Sequence, residues 1–165
     1  MALKKFQRNA EPKRKMNLGI SKDIAVLMDV SEGLDTPVNK AAQHLINQLK
    51  GLKKTVRVLA YSSDNKNPEF SDFICFCKKD TNWAFVPKGN SINEFLSGKY
   101  DILFAYYLND SKPLDFILNA ASAQLKAGYY QAEKSETLDV MVHNPKNSFE
   151  KGNEQLLELL TKLNS

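Results

Sequence analysis

The chain has 165 residues, of which 42% are hydrophobic and 25% are charged, and its net charge is +4. This length fits one domain, and the apolar content is too high for an intrinsically disordered chain. Seven Gly and six Pro exclude a collagen-like or low-complexity protein, and two Cys exclude a disulfide framework.

The charge is concentrated in the first 22 residues, which carry seven basic side chains and one acid, a charge of +6. The other 143 residues carry 16 bases and 18 acids, a charge of −2. We therefore divide the chain into a basic arm, residues 1–22, and a domain, residues 23–165. Such asymmetry is typical of proteins that meet an anionic partner. The side chains expected to contact it are Lys4, Lys5, Arg8, Lys13, Arg14 and Lys15.

Leu3, Phe6 and Ala10 lie at helical spacing, so we expect the arm to be an amphipathic helix that breaks at Pro12. Three interpretations are open. The arm contacts anionic lipid, it contacts RNA or DNA phosphates, or it packs Leu3 and Phe6 on the domain. No apolar stretch suits a signal peptide or a membrane span, so we expect a cytoplasmic protein, at most peripheral to the membrane.

The first half of the domain alternates strand and helix. The continuous apolar run Ile24–Val30 predicts a strand buried on both faces. Thr36 as N-cap and Pro37 in the first turn predict a helix that ends near Gly51. A second strand is predicted over Thr55–Tyr61.

A short third strand is predicted over Phe73–Cys77. Ser91 and Glu94 have the spacing of a capping box, which predicts a short helix that runs to about Gly98. Trp83, the single tryptophan, lies between these two elements, and we expect it to pack against the edge of the sheet rather than to stack on a ligand.

A fourth strand is predicted at Asp101–Tyr107, followed by a helix that begins near Asn109–Ser111 and whose apolar stripe reaches Leu125. Two more strands are predicted at Lys126–Tyr130 and Leu138–Val142, and a closing helix runs from Phe149 to Leu163. Strands that alternate with helices favour a mostly parallel sheet covered on both faces. We predict a three-layer, doubly wound α/β fold with five to six strands, Rossmann-like or flavodoxin-like.

In such a sheet, ligands bind beyond the carboxyl ends of the strands, near the switch in strand order. This rule selects Asp29, Ser31, Asn109 and Asp110 as candidate ligand-binding residues. The other polar residues at strand ends are Glu32, Ser62, Ser63, His143 and Asn144. The two aspartates either share a crevice, where they bind a cation or do acid–base work, or they cap helices and stay solvated. Four tyrosines near two strand ends either line a pocket or fill the core: Tyr106, Tyr107, Tyr129 and Tyr130.

The usual catalytic motifs are missing from the sequence. Neither GxGxxG nor GxxxxGK[ST] occurs, and Ser31, Gly33 and Thr36 offer only ordinary loop and cap donors. His44 and His143 have no obvious partner, and no Ser–His–Asp arrangement can be assembled. We therefore predict no catalytic residue, no cofactor and no metal site.

Five segments carry a resemblance to a known family: IAVLMDV, TVRVLAY, KKDTNW, GKYDILFAYYLNDSKPLDFILNAASAQLKAGYY and LDVMVH. Together they resemble an uncharacterised bacterial family of short proteins, built on a domain of unknown function. The match spans residues 24–163 and includes the basic start. The family implies no activity.

The stretch Tyr100–Leu103, the helix after it and Ala123–Gly128 are more distantly similar to the N-terminal, acceptor-side half of heptosyltransferase-type glycosyltransferases. Those enzymes have two Rossmann-like halves, so the resemblance implies a shared architecture. Two positions depart from their pattern. Ala105 stands where such a strand tends to carry an acid, and Lys126-Ala127 stands where an Arg–hydrophobic pair precedes the Gly, which argues against transferase activity.

We predict a non-catalytic cytoplasmic α/β module that binds a protein or a polyanionic partner through its basic arm. The alternative is a small-molecule-binding protein or enzyme that uses the crevice around Asp29, Ser31, Asn109 and Asp110. A deep polar crevice favours the alternative, whereas a shallow or Tyr-filled crevice and a projecting arm favour the first function.

Overall fold

We describe a computed structural model of the chain, which covers residues 16–143 and 148–163. These residues form six strands and four α-helices. They are β1 (Asp23–Asp29), α1 (Pro37–Gly51), β2 (Thr55–Ser62), β3 (Ile74–Cys77), α2 (Asn90–Ser97), β4 (Lys99–Tyr106), α3 (Lys112–Ala120), β5 (Ser122–Tyr129), β6 (Val140–Val142) and α4 (Phe149–Lys162).

The six strands form one sheet in the order β3-β2-β1-β4-β5-β6, and every neighbouring pair is parallel. Val26 in the centre of β1 pairs with Val58 of β2 on one side and with Phe104 of β4 on the other. The strand order reverses between β1 and β4, which is the switch point of a Rossmann-like sheet. The predicted single-domain, doubly wound α/β fold is confirmed.

Helices cover both faces of the sheet. Side chains of α1 and α4 share one core with Val26, and side chains of α2 and α3 share the other with Leu27. All of Ile24–Met28 is at most 1% exposed, because both faces of β1 are covered. The continuous apolar run in β1 therefore reflects a central strand, as predicted.

Helix α1 begins as the sequence predicts. The Thr36 side chain accepts a hydrogen bond from the Asn39 backbone N–H at 3.3 Å, and Pro37 occupies the first turn. An N-cap hydroxyl satisfies an amide that has no partner within the helix, and proline in the first turn loses no hydrogen bond.

The predicted capping box of Ser91 and Glu94 is wrong. Helix α2 begins at Asn90, its N-cap is Gly89 and not Ser91, and no side chain caps it. Gly89 has φ +127°, a conformation that glycine adopts more readily than any other residue. The residue before it is held in place, because the Lys88 N–H donates to the Asp80 carbonyl at 2.9 Å. The start of this helix is set by the preceding loop and not by a side-chain cap.

The predicted extension of α3 to Leu125 is also wrong. The helix ends at Ala120, because Ala121 is extended with φ −67° and ψ 142°, and β5 already pairs with β4 from Ser122 onward. Leu125 lies beside Ile102 in the sheet. A four-residue spacing fits both a helix face and a strand face, so the apolar pattern alone did not separate them.

Most of the predicted arm lies outside the described residues, including the six basic side chains Lys4, Lys5, Arg8, Lys13, Arg14 and Lys15 and the apolar Leu3, Phe6 and Ala10. Within residues 16–22 the chain forms a turn, and Met16 and Leu18 are buried in the core shared with α4. The Leu18 N–H donates to the Leu160 carbonyl at 2.8 Å, and the Lys54 ammonium donates to the Leu18 carbonyl at 2.7 Å. This part of the arm is packed on the domain.

Among residues 16–143 and 148–163, no helix has the length and apolar character that crossing a membrane requires.

Candidate functional site

An open crevice of about 670 Å³ lies at the switch point, beyond the carboxyl ends of β1, β2 and β4. Ligand sites of small molecules typically have roughly 300–1,000 Å³, so its size is suitable. All four candidates, Asp29, Ser31, Asn109 and Asp110, line it. The other lining residues are Glu32, Thr36, Val38, Tyr61, Ser63, Phe85, Tyr107, Leu108, Ser111, Lys112 and Pro113.

The Asp29 carboxylate is held by two different loops. Its Oδ1 accepts a hydrogen bond from the Ser31 backbone N–H at 2.9 Å, and its Oδ2 accepts one from Asn109 Nδ2 at 2.7 Å. Ser31 Oγ in turn accepts from the Ser63 N–H at 2.9 Å, which ties in the loop after β2. Three of the four candidates, Asp29, Ser31 and Asn109, therefore form one hydrogen-bonded cluster.

Each carboxylate oxygen can accept two hydrogen bonds. Asp29 is half-buried and each of its oxygens accepts one hydrogen bond from Ser31 or Asn109, so both keep acceptor capacity. Asp110 is exposed on the same crevice. The site thus presents one oriented carboxylate and one solvated carboxylate.

Asn39 braces the loop after β1, and the sequence analysis missed it. Its Nδ2 donates to the carbonyls of Asp29 and Gly33, both at 2.8 Å, and the side chain is 1% exposed. Gly33 has φ +89°, which the turn requires and which favours glycine. A single polar residue within the otherwise apolar buried face of α1 was the signal available in the sequence.

The charge of the lining is negative. Among residues 16–143 and 148–163, three carboxylates line the crevice, those of Asp29, Glu32 and Asp110, together with one ammonium, that of Lys112. Helices α1 and α3 both begin here, and each N-terminus is equivalent to about half a positive charge. Three full negative charges against about two positive ones leave the crevice negative.

Aromatic rings form part of the wall. Burial raises the pKa of Tyr61, and the neighbouring Asp29 carboxylate and the Cys77 thiol raise it further, so the phenol stays protonated. Phe85 belongs to the loop between β3 and α2 and is 40% exposed, with the Lys112 ammonium 5.4 Å from the centre of its ring. The sequence analysis did not select Phe85.

Tyr107 is fixed in the wall by a buried network behind it. Its hydroxyl donates to Asp115 Oδ1 at 2.6 Å, and its carbonyl accepts from Gln131 Nε2 at 2.9 Å. The Lys134 ammonium lies 3.9 Å from the ring centre and 3.9 Å from Asp115 Oδ1. Burial raises the pKa of Tyr107 far above its usual value, with Asp115 adding to the shift, and burial lowers the pKa of Lys134.

The four tyrosines predicted near strand ends do not lie together. Tyr107 lines the crevice, whereas Tyr106 and Tyr129 are buried in the core on the other face, where both hydroxyls bond to Asn153 Oδ1. Tyr130 is half-exposed, and its ring centre is 4.9 Å from that of His143.

The remaining polar residues at strand ends lie in different places. Glu32 and Ser63 line the crevice. Ser62 is buried and its hydroxyl accepts from the Asp64 N–H at 3.2 Å, His143 is exposed beside Tyr130, and Asn144 lies outside the described residues. In the part of the chain that the structure describes, no group of three or more His, Cys, Asp or Glu side chains is placed to hold a metal ion.

Fold and crevice together define the class, a Rossmann-like α/β domain with an open site at the switch point. Residues 1–163 match the family model of DUF6913, a family of unknown function. The chain belongs to this family. No curated protein matches it.

Among solved structures the chain is similar to the E. coli heptosyltransferase WaaC with ADP. The TM-score is 0.54 at 9% sequence identity, over 84% of this chain and 47% of that one. The chain thus spans about half the length of that enzyme. The likeness shows the fold, the architecture of one half of this glycosyltransferase, as the sequence resemblance implies.

Proposed function

We propose that the protein binds a small molecule with hydroxyl or amino groups in the crevice at the switch point. The observation that supports this best is the Asp29 carboxylate, which Ser31 and Asn109 orient while leaving acceptor capacity on both oxygens. Preorganised acceptors among apolar walls are what small-molecule sites use to fix the orientation of a ligand.

The negative charge of the crevice lining indicates which class of ligand it binds. Because the three lining carboxylates outweigh Lys112 and the two helix N-termini, an anionic group is repelled and a hydrogen-bond donor or a cation is attracted. The ligand therefore presents hydroxyl or amino groups to Asp29 and Asp110. The ADP named with the structural neighbour is a useful comparison, because its phosphates should be disfavoured here.

The second candidate is the function predicted from the arm, binding of a protein or a polyanionic partner through Lys4, Lys5, Arg8, Lys13, Arg14 and Lys15. It depends on the charge of +6 in residues 1–22. Its support is sequence charge alone, so we rank it second. A catalytic step is assigned to neither function.

Isothermal titration calorimetry tests the proposal with three probes: D-glucosamine, adenosine and ADP. D-glucosamine carries an amine and hydroxyls, adenosine is uncharged, and ADP adds phosphates to adenosine. We expect measurable binding of D-glucosamine or adenosine, and weaker binding of ADP than of adenosine. Tighter binding of ADP than of adenosine, or binding of no probe at millimolar concentration, overturns the proposal.

The substitution Asp29→Asn tests whether the ligand binds at the Asp29 carboxylate. It removes the charge with little change in shape, and the loss of a charge-assisted hydrogen bond weakens binding by about 10- to 100-fold. The matched control is Glu158→Gln, which removes one negative charge from an exposed position of α4, outside the crevice lining. Equal affinities for the two variants contradict the assignment to Asp29.

A further inference from the structure

The loop from Thr81 to Pro87 is closed by its own hydrogen bonds. Thr81 and Pro87 form an antiparallel bridge, the Asn82 N–H donates to the Val86 carbonyl at 3.1 Å, and the Phe85 N–H donates to the Asn82 carbonyl at 2.9 Å. The Asn82 side chain completes the loop, because its Oδ1 accepts from the N–H groups of Ala84 at 2.8 Å and Val86 at 3.1 Å. The loop is a small, internally braced unit.

This bracing holds Phe85 in a conformation that its side chain disfavours. Phe85 has φ +62°, in the left-handed region where a β-carbon is crowded by the backbone. A glycine would adopt this angle without strain. The ring does not compensate by filling a core, because it is 40% exposed and lies in neither hydrophobic cluster of the described residues.

The strained backbone of Phe85 places its ring on the wall of the crevice. Phe85 is the one residue of this loop that lines the crevice, and it does so together with Tyr61 and Tyr107. Aromatic faces bind the apolar face of a ring or a cation, whereas carboxylates bind the donors at its edge. The crevice combines both kinds of surface within one site.

We propose that Phe85 is a specificity-determining residue of the crevice, which the Asn82-braced loop presents so that ring-shaped ligands bearing hydroxyl or amino groups are preferred over open-chain ones. This inference rests on the function proposed above. Phe85 contacts one face of the ligand ring, and Asn82 acts as a positioning residue through the loop.

Trp83 provides the readout. It is the single tryptophan of the chain, it is 93% exposed in the same loop, and it lies two residues from Phe85. The expectation that Trp83 packs against the sheet edge is wrong, because the loop closes on itself and points this side chain outward. A ligand that displaces this loop when it binds against Phe85 is expected to change the emission of Trp83.

The experiment compares a cyclic and an open-chain probe of similar donor content, D-glucosamine and D-glucamine. For the full-length protein we expect at least a tenfold preference for D-glucosamine, accompanied by a change in Trp83 emission. Phe85→Leu keeps an apolar side chain and removes the ring, so the preference falls to less than threefold. Asn82→Ala reduces it as well, because the loop no longer fixes Phe85.

The matched control is Phe116→Leu, since Phe116 on α3 is 39% exposed and lies outside the crevice lining. It keeps the full preference. A variant that is partly unfolded binds D-glucosamine and D-glucamine more weakly by the same factor. The ratio of the two affinities therefore changes only when the crevice itself is altered.

The outcomes separate the two proposals. An unchanged preference in Phe85→Leu, with binding still weakened in Asp29→Asn, overturns the role of Phe85 and leaves the crevice function standing. Equal affinities of the two probes for the unmodified protein also overturn it. Binding of neither probe overturns the role of Phe85, and it overturns the crevice function as well when adenosine does not bind either.

Discussion

Gly152 lies in the first turn of α4, where this helix packs against Tyr129 at the end of β5. A β-carbon built on Gly152 would be 2.5 Å from Cε1 and 2.9 Å from the hydroxyl oxygen of Tyr129. The Tyr129 ring has little room to retreat, because it is 1% exposed and its hydroxyl bonds to Asn153 Oδ1 at 2.9 Å. Gly152→Ala must therefore displace the ring or the helix.

The expected magnitude follows from three contributions. Alanine is favoured over glycine within a helix by about 1 kcal/mol. Overpacking a core costs about 1–3 kcal/mol, and a hydroxyl drawn away from Asn153 costs about 1 kcal/mol more. We expect the free energy of unfolding to fall by about 1–3 kcal/mol.

Urea unfolding followed by circular dichroism measures this loss. The control is Gly51→Ala at the end of α1, where an added β-carbon meets nothing within 4 Å and φ is not positive, so stability rises by about 0.4–1 kcal/mol. In a Tyr129→Leu background the obstructing atoms are gone, and Gly152→Ala becomes neutral or stabilising. If Gly152→Ala is as stable as the unmodified protein, the packing of α4 on Tyr129 is not as described.

Three further predictions concern the scaffold around the site. Burial raises the pKa of Tyr129 to about 12 from 10.0, so the folded state keeps a proton that the unfolded state loses. This difference in pKa stabilises the folded state by about 3 kcal/mol; the whole contribution is present below pH 10 and is lost as the pH rises to 12. Urea unfolding between pH 10 and 12 therefore shows a falling free energy of unfolding, and Tyr129→Phe removes part of that decrease. Asn39→Ala removes the donor of two part-buried carbonyls and lowers the free energy of unfolding by about 1–3 kcal/mol, whereas exposed Lys40→Ala leaves it nearly unchanged. Equal stability of the two variants would show that Asn39 does not brace the loop. A chain lacking residues 1–22 melts well below one lacking residues 1–15, because only the former loses buried Met16 and Leu18; equal melting temperatures would contradict that packing.

The fold could be predicted because its signals are local and mutually consistent. The apolar run of β1 and the Thr36-Pro37 start of α1 each specify one element, and the alternation of elements specifies a parallel sheet. The general rule for such sheets then placed Asp29, Ser31, Asn109 and Asp110 at one crevice.

The features that were missed depend on contacts between distant residues or on backbone conformation. Phe85 reaches the crevice through a left-handed backbone angle, and no residue pattern in the sequence indicates it. Asn39 and Lys134 act through partners that only the folded chain brings near. The exposure of Trp83 follows from a loop that closes on itself through the Asn82 side chain, and no residue pattern in the sequence indicates that closure.

The most direct test of the crevice as the binding site is a ¹H–¹⁵N correlation spectrum of the full-length protein, titrated with D-glucosamine. We expect backbone amide shifts to concentrate in the loops after β1, β2 and β4, with Ser31, Ser63 and Asn109 among the most affected. In Asp29→Asn the same shifts require a probe concentration about 10- to 100-fold higher. Saturable shifts confined to another surface, or no shifts when adenosine as well as D-glucosamine is titrated to millimolar concentration, would contradict this prediction.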